Sequence, residues 1–141
     1  MSCVYLRVAL GLVCRQQQTP FICSVLVSCR YVYGSNRAND TEGTIVIFAI
    51  DATTGGLSLV GHVGCGGVTP RNFALHPSGE WLVVANQTTG NLVVFDVDRE
   101  TGWLKQSSAA GSEEGGADGA GGGVLPLLQT PLCVQFVPVL E

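Results

Sequence analysis

The stretch TPRNFALHPSGEWLVVANQTTGNLVVFDVDRETG, Thr69 to Gly102, decides how the rest of the chain is read. Three apolar runs, NFALH, WLVVAN and NLVVFDV, are separated by turn chemistry. Between the first two, His76-Pro-Ser-Gly79 places proline and glycine where a type I turn takes them. After the third, Asp98-Arg-Glu-Thr-Gly102 offers an aspartate to cap a tight hairpin and a glycine to accept positive φ. A further run starts at Trp103, so the unit reads as four short antiparallel strands, a to d. Strands b and c are almost continuously apolar, the pattern of strands covered on both faces.

The unit is repeated. Displaced by 50 positions, Thr19-Pro20 falls on Thr69-Pro70 and YVYGSN (31–36) on WLVVAN (81–86). With a loop difference of 3 residues, GTIVIFAIDATTGGL (43–57) falls on GNLVVFDVDRETGWL (90–104), with Gly, Val, Phe, Asp, Thr, Gly and Leu coinciding. A third copy opens at TPLCVQFVP (130–138), which matches TPRNFALHP (69–77). Strand a of the earlier copy, FICSVLV, is degenerate: Val27 and Cys29 stand where the later copy has Pro77 and Gly79. A four-stranded unit of about 50 residues has the size of a β-propeller blade, and a blade cannot bury both faces alone.

The expected fold is therefore all-β: a partial β-propeller of about two four-stranded blades plus one strand of a further blade. The expected boundaries are an unassigned segment 1–18 and a partial propeller over 19–138. Within it lie a blade at 19–68, a blade at 69–108 and a closing strand at 130–138. The Gly-, Ala-, Ser- and acid-rich segment 107–124 is expected to be a disordered insert between strand d and the next strand a. Its acids read as a solvated run.

Bulk composition narrows the functional classes. The 141 residues suffice for one domain with a core, and 19 glycines suit a turn-rich chain. A net charge of −4, with only 7 Lys and Arg scattered along the chain, leaves no basic stripe for a nucleic-acid backbone. Mean hydropathy is positive, yet the longest apolar runs, such as VALGLVC (8–14), fall far short of a membrane-spanning helix. No membrane partner is expected. The start, MSCVYLRVALGLVC, faintly resembles a secretory leader but lacks a clear cleavage site before QQQ, so a leader is not favoured. Cysteines at 3, 14, 23, 29, 65 and 133 show neither Cys-x-x-Cys nor zinc spacing, and reduced thiols in a cytoplasmic chain are the expectation. No metal or cofactor is expected. Two Asn-x-Thr sequons, at Asn39 and Asn86, would matter only in a secreted chain.

YVYGSNR followed by GTIVIFAIDATTGGLSLVGHV, and then TPRNFALHPSGEWLVVANQTTGNLVVFDVDRETGWL, resembles the lactonase family of seven-bladed propellers. That family includes propeller-type 6-phosphogluconolactonases and a fungal carboxymuconate cyclase. The tail TPLCVQFVP is similar to the family's C-terminal strand. The resemblance covers 31–108 well and 130–138 more weakly, and it implies the last two blades of the ring. It implies hydrolysis of a sugar lactone, of the 6-phosphogluconolactonase type in the pentose phosphate pathway. The alternatives are a non-catalytic propeller-derived binding or assembly module, or a cyclase acting on a muconate-like dicarboxylate. For the isolated chain, little turnover and self-association through exposed blade edges are expected.

Strand order places the candidate site. Strands a and b are antiparallel neighbours, so the start of a and the end of b share one rim. That rim collects Arg71 with Asn36, Arg37, Asn86 and Gln87, and Arg71, on the innermost strand, belongs near the central channel. A guanidinium suits both a developing oxyanion and a bidentate anion clamp, so Arg71 is the catalytic candidate. Asn36, Arg37, Asn86 and Gln87 are the substrate-binding candidates. The competing readings are a structural tie for Arg71 and turn-satisfying roles for the asparagines. His76 and His62 read as structural, and Cys65 as no nucleophile. GHVGCGGVTP (61–70) lacks the Gly-Lys-Ser/Thr of a phosphate loop and reads as a flexible connection. Asp40 and Glu42 are the rim acids, and the general base is expected in blades outside this chain.

Overall fold

A computed structural model describes residues 22–28, 30–37, 41–108, 124–126 and 130–137. The unassigned segment 1–18 and most of the glycine-rich insert lie outside these. The elements are β1 (Ile22–Val27), β2 (Tyr31–Asn36), β3 (Thr44–Ile50), β4 (Leu57–Gly64), β5 (Pro70–Leu75), β6 (Trp81–Asn86), β7 (Asn91–Val97), β8 (Leu104–Gln106) and β9 (Val124–Pro126). They form two antiparallel sheets, ordered β1-β2-β3-β4 and β5-β6-β7-β8, with β9 also on β7. The all-β architecture of two blades is as the repeat requires.

The repeated turns close for the same reason in both blades. Asp51 Oδ1 accepts from Thr53 N and Thr54 N, both at 2.8 Å, and Asp98 Oδ1 accepts from Glu100 N and Thr101 N at 2.8 and 3.1 Å. Those bonds hold both carboxyls below the usual carboxylate range. Gly55 and Gly102 take φ of 71° and 73°, which a side chain would resist. Gly102 has a second reason to be glycine, since a Cβ there would collide with the Tyr31 ring of the other blade.

The core is the seam between the blades. On one face of the first sheet stand Tyr31, Tyr33 and Ser35 of β2 with Ile45 and Ile47 of β3. Against them the second sheet turns Phe73, Leu82, Val84, Val93 and Phe95, and these join the first set in one buried cluster. The blades meet through opposite faces, because in the repeat Tyr31 and Tyr33 correspond to Trp81 and Val83, which lie on the far side of β6. Two phenols bolt the seam: Tyr31 donates to the Glu100 carbonyl and Tyr33 to the Gly102 carbonyl, the latter at 3.0 Å. Burial pushes the Tyr33 phenol up to about 12, with the nearby Tyr31 and Asp98 adding. On the far face Trp81 is 44% exposed and Val83, Leu92 and Val94 are half-buried, so the b and c strands of the second blade are not covered on both faces as their composition suggested.

Two expectations about the chain's end need revision. β8 pairs with Phe95–Val97 of β7, and Ser107 N then donates to the Val94 carbonyl at 2.9 Å. The ladder resumes with Val124 opposite Val93 and Leu125 opposite Leu92. Strand d is thus made of two pieces on one edge, and the insert interrupts it instead of following it. The closing segment 130–137 forms no ladder. It runs beside β5 through two side-chain contacts: Val134 N donates to Asn72 Oδ1 at 2.8 Å, and Phe136 meets the His76 ring edge-on at 4.9 Å.

The ladder on this edge of β7 passes from Ser107, bonded to Val94, to Val124, paired with Val93. A variant joining Ser107 directly to Val124 is expected to melt within a few degrees of the parent, since shortening a loop changes closure entropy only slowly. Loss of the cooperative transition by circular dichroism would show that the two pieces are not one strand.

Candidate functional site

The expected rim exists. Asn36 pairs with Ile22 and with Thr44, and Asn86 pairs with Pro70, so each blade brings the start of its strand a beside the end of its strand b. The two rims lie on the same side. Gly43, in the b–c loop of the first blade, donates to the Gly67 carbonyl at 3.0 Å and packs so closely on Pro70 that a Cβ would clash.

Arg71 owes its position to the backbone. Pro70 pairs with Asn86 and Asn72 with Ala85, so Arg71 is the extra residue of a β-bulge, a device that re-aims one side chain out of register. Just before it, Thr69 takes a φ of 62°, and no other described non-glycine residue has positive φ. A β-branched residue preceding proline is doubly disfavoured there, at a cost on the order of 1–3 kcal/mol. Side-chain and main-chain bonds hold it: Gln87 N donates to the Thr69 carbonyl, and the Thr88 hydroxyl meets Thr69 Oγ1, both at 2.8 Å. The exposed Arg71 guanidinium then donates from Nη1 to Gln87 Oε1 at 3.0 Å. The structure brings these two predicted residues together.

The other candidates divide. Asn36 is half-buried and donates to Thr44 Oγ1 at 3.2 Å. Arg37 is half-buried beside it, with its Nε buried and unpaired. Asn86 differs from expectation. It is fully buried, its amide donates to the Cys65 carbonyl at 3.0 Å, and its Oδ1 has no partner. It faces the d-to-a loop and presents nothing at the rim surface, because the even positions of β6 face the seam. Of the rim acids, Asp40 lies outside the described residues, and Glu42 accepts from Gly66 N at 2.9 Å.

The segment 61–70, expected to be a flexible connection, instead ends β4 at Gly64 and opens β5 at Pro70, and the loop between them is among the most heavily bonded parts of the rim. Cys65 N donates to the Gly43 carbonyl, Asn91 Nδ2 to the Gly66 carbonyl, Val68 N to Thr89 Oγ1 and Thr88 N to the Val68 carbonyl. Gly66 takes a φ of 68°, and Gly67 serves close packing, since a Cβ there would strike Thr89 and Asn86. Sequence reasoning passed over Thr69, although the Thr-Pro pair at 19, 69 and 130 was the signal available. His76 is structural, accepting from Ser78 N at 3.1 Å, with the Trp81 ring tilted against it on one side and the Phe136 ring edge-on. Among the described residues no group of three or more His, Cys, Asp or Glu converges on a metal position, and no helix is long and apolar enough to cross a membrane.

Residues 18–117 match the model of the family described as lactonase, 7-bladed β-propeller. The chain belongs to this lactonase family. It is 49% identical over 57 residues to a 6-phosphogluconolactonase of Formosa agariphila, a match covering 40% of this chain and 16% of that protein. Crystal structures from Bacteroides uniformis and Bacteroides fragilis, provisionally assigned as 6-phosphogluconolactonases, superpose with a TM-score of 0.66 at 29% identity. Each match covers 82% of this chain, and 29% and 28% of those chains respectively. The periplasmic gluconolactonase of Pseudomonas aeruginosa superposes with a TM-score of 0.55 at 33% identity, over 60% of this lactonase-family chain and 23% of its own. The chain therefore spans less than a third of the length of the relatives it matches.

Cys65 offers a direct check on the packed loop. Burial, with the Glu42 charge adding, raises its thiol from 9.0 to about 11. With the folded value above the unfolded one, the stabilisation from this thiol is complete below pH 9 and lost as pH rises through about 11. At pH 8 the native chain is expected to leave Cys65 unalkylated by iodoacetamide while the exposed Cys133 reacts, as peptide mapping by mass spectrometry would show. Equal labelling of both would mean that the loop is open.

Proposed function

We propose that this chain supplies two adjacent blades of a lactone hydrolase of the 6-phosphogluconolactonase type, with Arg71 as its catalytic contribution. The observation that carries the reading is the placement of Arg71. It sits on a bulge beside a strained Thr69, anchored through one N–H by Gln87, with its other donors exposed at the rim. Such pre-organisation suits a group that stabilises charge appearing only during reaction. The 49% identity to a 6-phosphogluconolactonase supports the substrate class.

Lactone hydrolysis needs water to add to the ring carbonyl, charge to gather on that oxygen, and the ring oxygen to leave with a proton. Arg71 is the group for the gathering charge. Gln87 positions its plane, and the half-buried Arg37 is suited to an anionic substituent of the sugar, where a fork of N–H donors binds better than an ammonium. Asn36 orients a sugar hydroxyl. Asn86 acts through the loop it holds, as a positioning residue. The proton-transfer groups belong to blades outside this chain. A reducing cytoplasmic setting suits the free thiols of Cys65 and Cys133.

The 141-residue chain alone is expected to open 6-phosphogluconolactone no faster than buffer. Fused behind the blades that precede these in a 6-phosphogluconolactonase, it is expected to be active. In that fusion Arg71→Ala should lower kcat/KM by about 100- to 1,000-fold, with Arg71→Lys recovering part of the loss. Undiminished turnover in the alanine variant would remove Arg71 from the mechanism.

A further inference from the structure

The seam between the blades has a second end, on the rim opposite Arg71. There the a–b turn of the first blade meets the a–b turn and c–d hairpin of the second, leaving a cleft of about 130 Å³. Ser28, Arg30, Tyr31 and Tyr33 line it from one side, and Gly79, Val97 and Arg99 from the other. None of these residues belongs to the site described above.

The charge arrangement is unusual for an acidic chain. Lys and Arg together number 7 against 11 acids, yet two arginines border this one cleft. Among the described residues no carboxylate comes within 4.0 Å of either guanidinium. Of the two acids that flank Arg99, Asp98 accepts the amides of Glu100 and Thr101 in its own turn, and its charge reaches the Tyr33 phenol. Glu80 and Glu100 are exposed and unpaired, and Asp96 lies on the far face of β7, away from Val97.

The surrounding atoms place the Arg30 guanidinium and the hairpin that carries the exposed Arg99. Arg30 lies over the Tyr31 ring with its guanidinium carbon 5.9 Å from the centroid, within cation–π range. The Tyr31 and Tyr33 hydroxyls donate to the Glu100 and Gly102 carbonyls, which fixes the hairpin carrying Arg99 against the first blade. Ser28 Oγ donates to the Tyr31 carbonyl at 3.0 Å and accepts from Tyr31 N at 2.9 Å, shaping the turn that carries Arg30. Gly79, with a φ of 76° and open space where a Cβ would stand, leaves the mouth clear.

We propose that this cleft binds a small tetrahedral oxyanion, a phosphate ion or the phosphoryl group of a monoester, gripped between Arg30 and Arg99. The cleft has room for a phosphoryl group at its mouth. Two forked guanidiniums from opposite walls match its oxygens. The site joins the two blades, so occupancy also tightens the seam.

The test is titration of the 141-residue chain with inorganic phosphate and with methyl phosphate, followed by NMR of backbone amides and arginine Nε–H groups. Saturable shifts confined to residues 28–33, 79 and 97–99 are expected with at least one of the two probes, and the more tightly bound one identifies the free ion or the tethered group. Arg30→Gln and the exposed Arg99→Gln should each weaken binding by about tenfold or more, while Lys105→Gln, which removes one charge elsewhere, should change it by less than about twofold. Three results would overturn the proposal: no saturation by either probe, tighter binding of acetate added as a control anion, or equal losses in all three variants.

Discussion

A four-stranded blade has two apolar faces and no partner of its own, and this requirement shapes everything else in the chain. For one face of each blade it is met at the seam, where the tyrosines of β2 and the isoleucines of β3 lie against Leu82, Val84, Val93 and Phe95 of the next blade. Hydrophobic burial supplies the cohesion but not the alignment. Alignment comes from the phenols of Tyr31 and Tyr33, whose two bonds reach carbonyls in a hairpin 69 residues away in sequence. That explains why the hairpin must keep Gly102: the residue that lets the chain turn also leaves room for the Tyr31 ring.

The two ends of the seam then acquire their character from it. At one rim the b–c loop of the first blade and the d-to-a loop that joins the two blades lock together through Gly43, Gly67, Cys65 and Asn86. This frame holds Thr69 in its strained conformation and delivers Arg71 on a bulge. At the other rim the tyrosines and the Asp98 hairpin bring Arg30 and Arg99 to one cleft. Membership of the lactonase family fits both the repeat and the rim, and the far face of β6 and β7, with Trp81 exposed, is where a further blade would continue the stack.

Much of this was legible in the sequence because turns and strands are local. Asp51-to-Gly55 and Asp98-to-Gly102 declare their hairpins by spacing alone, and strand order followed from repeat alignment. The rim of Arg71 and Gln87 followed in turn, since antiparallel pairing fixes which ends meet. What stayed hidden depends on side-chain direction and on contacts between blades. Period-2 alternation places Asn86 on the seam face, but nothing local says that the seam uses opposite faces of successive repeats. The glycines of 61–70 look alike in sequence whether they give freedom, as Gly66 does, or close packing, as Gly61, Gly64 and Gly67 do, and only their backbone angles and neighbours decide. The insert looked like a linker because its composition hides the ladder resuming at Val124.

The central claim is that the seam, and not either sheet, is the unit of stability. Hydrogen exchange by mass spectrometry on the parent chain and on Tyr33→Phe, which removes one bolt and no ring, tests it directly. The account predicts that β2, β3, β6 and β7 exchange through one common opening and lose protection together in the variant. Loss confined to β2 and β3, with β6 and β7 protected as before, would contradict it.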